Sequence, residues 1–146
     1  MKAFLIFFLL GLTFSYNASG AVAYAHKYCN NYNPNYNKYS VLTQEGANFV
    51  SQCMSIGGGL DFEGCEGRNT EGMFKYIYDL KRCLILKGWK RTSFPQKGSP
   101  MFFIPITHVM FVTDDKVIDN RVTYCSHTPD RCDAKASTKH FEFFSL

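Results

Sequence analysis

Beyond its first twelve residues the 146-residue chain has no long apolar run, and a membrane-spanning helix needs about 20 apolar residues. It has no run of basic residues to follow a nucleic-acid backbone, the densest group being "KGWKR" at 87–91. It also has no C-x-x-C pair and no cysteine with a histidine at zinc-ligand spacing. Glycine patterns that hold nucleotide phosphates are missing as well. We therefore expect no membrane span after the N-terminus, no nucleic-acid partner, no metal and no cofactor.

The N-terminus has the pattern of a secretory signal peptide. Lys2 precedes an apolar run at 3–12, and the small residues Ala18 and Gly20 favour cleavage before Ala21. We expect residues 1–20 to be removed and residues 21–146 to form a single exported domain. Loss of Lys2 leaves 15 of the 16 basic residues against 12 acidic ones, a small positive excess. The predicted location is extracellular.

An even number of cysteines in a small exported chain predicts disulfide bonds. Three bridges are possible, and the sequence does not choose among the 15 pairings that six cysteines allow. The candidates are Cys29, Cys53, Cys65, Cys83, Cys125 and Cys132.

Helical spacing of apolar residues dominates the first half of the domain. It predicts one helix in "AVAYAHKYC" from Ala21 and a second, largely buried helix at 45–56 that ends at the glycines 57–59. A third helix is predicted from Thr70 as N-cap to Gly88. The loop "LDFEGCEGRN" between the last two helices is expected to be held by Cys65.

Strand patterns dominate the second half of the domain. Apolar runs predict strands at 101–106, 108–113 and 116–124, with "TDD" as a turn, and "HFEFF" as a possible last strand. Helices followed by antiparallel strands indicate an α+β fold, with the N-terminal helices packed on the sheet and disulfide bonds stabilising it.

A tyrosine-rich segment, "NNYNPNYNKYS", follows the first predicted helix. Asn and Pro favour turns, so we expect an aromatic loop rather than a helix. Such a loop either packs on the domain or offers a binding platform. The candidate binding residues are Tyr32, Tyr36 and Tyr39, with Asn48 on the helix that follows.

The stretches "GANFVSQCMSIGG", "KGSPMFF", "THVMFV" and "SHTPDR" resemble the putative amidase domain family, a branch of the papain-like, NlpC-type cysteine peptidases and amidases. Members of that family typically begin a catalytic helix with D-C-T-N-F-V-S-Q-C, place H-V at the start of a strand, and end with S-x-H-T-N-D-R. The resemblance implies that Glu45 and Gly46 stand at the D-C pair, His108 at the catalytic histidine and His127 at the residue that orients it. Here Pro129 stands where the family has Asn.

The resemblance also implies what is lost, because Gly46 has no side chain and a triad without its nucleophile cannot use the covalent route. His108 and His127 would then be vestigial catalytic residues. Cys125 and Cys132 flank His127, and a bond between them would hold that loop in shape.

Three interpretations of function remain open from the sequence. In the first, the chain is a catalytically inactive amidase-like protein that is reused as a structural, self-assembling extracellular protein and has further copies of itself as its partner. Alternatively, it is a binding module that recognises a peptide or a cell-wall-like ligand through the vestigial cleft. A third interpretation, an active cysteine-type amidase, requires a nucleophile that the motif does not provide.

Overall fold

The computed structural model describes residues 15–146, so the apolar run of the predicted signal peptide lies outside the described part. Helices come first along the chain and strands follow. The helices are α1 (Ala18–Tyr28), α2 (Leu42–Gln52), which continues into a π-helical turn (Cys53–Gly57), and α3 (Ile77–Leu86). The strands are β1 (Lys90–Thr92), β2 (Pro100–Phe103), β3 (Val109–Ile118), β4 (Arg121–Ser126), β5 (Arg131–Ser137) and β6 (Phe141–Ser145), with a short 3-10 turn (Thr138–His140) before β6.

The strands form one six-stranded sheet in the order β1-β6-β2-β3-β4-β5, and every neighbouring pair is antiparallel. The helices pack on this sheet, so the α+β prediction is confirmed. The main core contains Phe49 and Val50 of α2, Leu80 of α3, and Val109 and Phe111 of β3. Among residues 15–146, no helix has the length and apolarity that crossing a membrane requires.

Helix α2 is exposed only at its start, since every residue from Glu45 to Gln52 is buried. The π-helical turn that follows packs against α1 at close range. A Cβ atom at Gly57 would lie 2.6 Å from the Cβ of Tyr24 and 2.8 Å from the carbonyl oxygen of Gly20. The glycine at 57 therefore does more than end the helix, because only a residue without a side chain lets the two backbones approach this closely.

Helix α1 begins before the predicted cleavage position at Ala21. Asn17 caps it by accepting a hydrogen bond from the backbone N–H of Gly20 at 2.9 Å. Tyr16 donates to the carbonyl of Gly98 at 2.5 Å and packs edge-on against the ring of Trp89. Residues 16–20 are thus part of the packed domain in this structure, and cleavage before Ala21 would remove the helix cap together with the Tyr16 contacts.

Several predicted element boundaries are wrong, among them the end of the strand predicted at 101–106, since β2 ends at Phe103. The third helix begins at Ile77 rather than after Thr70, because the Asn69 side chain accepts hydrogen bonds from the backbone N–H groups of Glu71 and Met73 and holds this segment in a turn. Strand β3 runs through "TDD" to Ile118. The chain instead reverses at Asp119 and Asn120, which both have positive φ, as a two-residue type I′ hairpin requires.

The six cysteines form two disulfide bonds, Cys29–Cys132 and Cys65–Cys83. The first joins α1 to β5, and the second joins the loop before α3 to that helix, which confirms the expected role of Cys65. Cys53 and Cys125 are buried free thiols, so the Cys125–Cys132 bond, one of the pairings that the sequence left open, does not form. An irregularity between β4 and β5 places the backbone N–H of Asp133 beside the Cys125 sulfur, at 3.4 Å, while Cys132 meets α1.

Candidate functional site

Gly46 and His108 face each other where α2 packs on the start of β3. Gly46 lies in the second turn of α2, and His108 directly precedes β3. A Cβ atom at Gly46 would lie 2.7 Å from Nδ1 of His108 and 3.1 Å from the carbonyl oxygen of Val109. The imidazole therefore occupies the space that any side chain at position 46 would need. The structure brings these two predicted site residues into direct apposition.

The His108 imidazole is buried and isolated. His108 is only 9% exposed, and neither ring nitrogen has a hydrogen-bond partner among residues 15–146. Burial disfavours the charged ring and lowers the pKa of His108 from 6.5 to about 4. His108 is consequently neutral at physiological pH, with one unused donor and one unused acceptor.

The depressed pKa of His108 predicts a loss of stability in mild acid. Between pH 6.5 and about 4 the unfolded chain binds a proton at this residue that the folded chain does not. The contribution of neutral His108 to the free energy of unfolding is therefore complete above pH 6.5 and falls as the pH drops toward 4, by about 3 kcal/mol. Urea unfolding of the wild type and of His108→Asn at several pH values measures it. Between pH 6.5 and 4 the free energy of unfolding should fall less for the variant than for the wild type. An equal fall in both proteins would contradict the assignment.

Glu45 and His127 form a second, fully buried pair beside Gly46. Nδ1 of His127 lies 2.7 Å from Oε1 of Glu45, and Nε2 donates to the carbonyl oxygen of Tyr28 at 2.6 Å. The other carboxylate oxygen, Oε2, accepts from the backbone N–H of Tyr39 and from the Asn48 amide. The pair thus ties together α1, α2, the tyrosine-rich loop and the end of β4.

His127 was expected to orient His108, but no hydrogen bond joins the two histidines. Both ring nitrogens of His127 are engaged elsewhere, and those of His108 have no partner in the described chain. Instead, the His127 ring is stacked between the rings of Tyr32 and Phe49, with centroid separations of 4.1 and 4.0 Å. Helix α2 carries Glu45 one position before Gly46. The His127 ring therefore contacts the carboxylate of Glu45 and not the ring of His108.

Of the candidate binding tyrosines, Tyr32 lies over the Glu45–His127 pair, and Tyr39 contacts the pair through its backbone N–H. Tyr32 covers the His127 ring, donates to Asp130 at 2.8 Å, and has the Lys38 ammonium 3.8 Å above its own ring. Tyr39 accepts a hydrogen bond from Asn69. Tyr36 is half-buried, and this burial raises its pKa.

Asn48, the fourth candidate binding residue, lies inside the domain. Its amide group donates to the carbonyl of Asn37, but its Oδ1 is buried without a partner in the described residues. Of the four candidates, Tyr32 and Asn48 thus contact the buried pair with their side chains, through a stacked ring and a hydrogen bond to Glu45.

A further group was not predicted because its members are distant in sequence. His26 of α1, Cys125 of β4 and Asp133 of β5 each bring one potential ligand atom within 4.8 Å of the other two. Burial raises the pKa of the Cys125 thiol to about 11. Spacing rules search for ligands within a short segment, so no signal in the sequence identified this group.

These features define an α+β domain in which the start of a buried helix faces a histidine directly before a central strand of an antiparallel sheet. Residues 15–102, more than half of the chain, match the family model described as putative amidase domain. The chain belongs to this family. The match ends in β2, before His108 and His127. The assignment of these two histidines to the site is therefore based on the geometry alone. No curated protein and no solved structure matches the chain.

Proposed function

We propose that this protein is an exported, catalytically inactive member of the amidase-domain family with a papain-like, NlpC-type architecture, in which Gly46 replaces the nucleophilic cysteine. The apposition of Gly46 and His108 carries the proposal. In such enzymes a thiolate near a helix N-terminus attacks the substrate, and a histidine on the facing strand accepts and returns the proton. Here the histidine is at the required place, while the position facing it has no sulfur.

Neither free thiol of the chain is suited to replace the missing nucleophile. Cys53 is completely buried, and burial raises its pKa well above the usual value for a thiol. Cys125 is also buried, and its sulfur faces the group with His26 and Asp133 rather than His108. A buried, protonated thiol is a poor nucleophile, which argues against the active-amidase interpretation.

Replacing Gly46 by cysteine tests the site. The Cβ of the new cysteine would collide with His108 Nδ1, so the imidazole must rotate, and a thiolate–imidazolium pair can then form. At pH 6 we expect Gly46→Cys to react with iodoacetamide at least about tenfold faster than Gly46→Cys/His108→Ala. The wild type should not react under native conditions because both of its free thiols are buried. Equal alkylation rates in the single and double variants would contradict the assignment of Gly46 to the position of the nucleophile.

For the inactive domain we propose a structural role based on association with further copies of itself. Among the described helices, α3 exposes a group of apolar residues on one face: Tyr78, Ile85 and Leu86 are 64%, 55% and 69% exposed. Arg82 lies on the same face, next to Asp79 and Glu66. We call these six residues the α3 patch. It contains apolar surface and both signs of charge, so two copies can complement each other across a two-fold axis.

The sheet edges are less suited to association than the α3 patch. Edge strand β1 has only three residues, and the other edge, β5, presents Arg131, Asp133 and Lys135 to solvent. Short edges and exposed charges are the usual protection against strand-to-strand pairing. We therefore assign self-association to the helix face rather than to strand addition.

Light scattering of the secreted chain in non-reducing buffer tests the structural role. We expect a dimer or larger species for the wild type and a monomer for Ile85→Glu. The matched control is Phe94→Glu, because Phe94 is also exposed, at 73%, but lies outside the α3 patch. A wild type that stays monomeric over the whole concentration range would rule out self-association.

Within residues 15–146 the ring nitrogens of His108 have no hydrogen-bond partner, and this favours a second candidate, a module that binds peptides or cell-wall-like ligands. An amide group offers both a donor and an acceptor to a neutral imidazole. Calorimetric titration with a soluble muropeptide is the direct test. In this case His108→Ala should weaken binding and leave the native mass unchanged, whereas Ile85→Glu should do the reverse.

A further inference from the structure

His26, Cys125 and Asp133 meet on the side of the domain where α1 packs on strands β4 and β5. Nε2 of His26 lies 2.9 Å from Oδ1 of Asp133, and the three potential ligand atoms, one from each residue, are within 4.8 Å of one another. A single ion of ordinary radius can contact three such atoms with small side-chain movements, since zinc–nitrogen, zinc–oxygen and zinc–sulfur bonds are about 2.0 to 2.3 Å long.

The backbone that carries this group is cross-linked. His26 lies in the last turn of α1, which Cys29 caps, and Asp133 directly follows Cys132 in β5. The Cys29–Cys132 bond therefore fixes the two elements that supply the histidine and the carboxylate. A site that is held in place before the ion arrives loses less conformational freedom on binding.

A second layer of hydrogen bonds orients the ligands. The hydroxyl of Thr113 donates to Oδ1 of Asp133 at 2.6 Å, and the backbone N–H of Asp133 points at the Cys125 sulfur. Outer hydrogen bonds of this kind are typical of protein metal sites.

We propose that His26, Cys125 and Asp133 bind Zn²⁺ as three protein ligands, with a water molecule in the fourth position. Sulfur and imidazole ligands suit Zn²⁺ and exclude Mg²⁺ and Ca²⁺, which take oxygen ligands. On binding, the Cys125 thiol gives its proton to solvent and the thiolate bonds to the ion. The side chains of His26 and Asp133 are 46% and 53% exposed, which leaves the fourth position open to water.

A cysteine–histidine–aspartate hydrolase site is the other chemistry that these residue types suggest. A nucleophilic sulfur must reach the carbonyl carbon of a substrate, but Cys125 is fully buried. Burial on one side and exposed His26 and Asp133 on the other suit an ion, which is small enough to enter between them. We therefore infer a binding site for zinc and not a second catalytic site.

Titration with Co²⁺ as a spectroscopic substitute for Zn²⁺ tests the proposal on the full secreted protein. We expect one equivalent to bind and to give the near-ultraviolet charge-transfer band of a cobalt–thiolate bond. His26→Gln and Asp133→Asn alter exposed side chains and should still fold, and each should weaken binding at least about tenfold. Thr113→Val should weaken it by about 10 to 100 times, as loss of an outer hydrogen bond does.

Two controls separate this site from unspecific binding. His140→Gln removes an exposed histidine outside the group, and Cys53→Ala removes the other free thiol. Both variants should bind Co²⁺ as the wild type does. Binding without the thiolate band, or binding that His26→Gln leaves unchanged, would overturn the proposal. So would a count of zero free thiols in the denatured, unreduced chain, because Cys125 would then be oxidised.

Discussion

Glu45→Ala is expected to destabilise the protein by about 3 to 5 kcal/mol, the cost of removing one partner of a buried ionic or hydrogen-bonded pair. The alanine leaves Nδ1 of His127 unpaired between the rings of Tyr32 and Phe49. It also removes the acceptor for the Tyr39 backbone N–H and for the Asn48 amide. The measurement is the free energy of unfolding from urea denaturation at pH 7, followed by circular dichroism and by tyrosine fluorescence.

Two variants determine whether the loss comes from the pair itself. Glu45→Gln keeps the shape and a hydrogen-bonding group toward His127, so it should cost clearly less than Glu45→Ala. Replacing both partners, as in Glu45→Leu/His127→Leu, removes the unpaired Nδ1 of His127 from the core, and the double variant should be more stable than Glu45→Ala alone. If Glu45→Ala costs less than about 1 kcal/mol, the pair does not hold these elements together.

Loss of the Cys29–Cys132 bond is the second change with a large expected effect. This bond spans 103 residues, and the entropy of closing a loop of that length corresponds to about 4 to 5 kcal/mol. The Cys65–Cys83 bond spans only 18 residues and should contribute about 3 kcal/mol. We therefore expect Cys29→Ala/Cys132→Ala to unfold at a lower urea concentration than Cys65→Ala/Cys83→Ala.

The comparison of the two disulfide variants has a built-in control. Each variant removes one bridge and creates no new thiol, so the number of free thiols stays at two, those of Cys53 and Cys125. The unfolding transitions can be compared directly when the slopes against urea are similar. A larger loss for Cys65→Ala/Cys83→Ala would mean that native-state contacts, and not loop length, determine the stability that each bridge provides.

The spacing of apolar residues was sufficient to predict most of the elements. Phe49, Val50 and Cys53 have the apolar spacing of a helix that packs in the core, and α2 with its π-helical turn covers that segment, buried on all sides from Glu45 to Gln52. The strand patterns at the end of the chain became β2, β3, β4 and β6. Strand β5 was missed because Arg131, Asp133 and Lys135 alternate with partly buried residues that are small or cysteine, a pattern with little apolar signal.

Predicted helix and strand boundaries were wrong where a local hydrogen bond or backbone conformation outweighed the spacing of apolar residues. Asn69 holds the chain in a turn, and this delays α3 until Ile77. Asp119 and Asn120 take the left-handed conformation that a two-residue hairpin needs, and "TDD" could extend β3 because its charged side chains simply point to solvent. Short polar residues suit several turn positions, so composition alone does not decide which of them turns.

By itself the sequence determined the α+β class, the resemblance to the amidase-domain family, the absence of a side chain at position 46, and the set of histidines and cysteines available for chemistry. Only the tertiary structure decided which of these residues meet. It placed His108 against Gly46, gave His127 to Glu45, joined Cys29 to Cys132, and brought His26 and Asp133 to Cys125. The physical reason is that each of these contacts joins residues far apart in the chain, and the packing of the helices on the sheet determines which of them become neighbours.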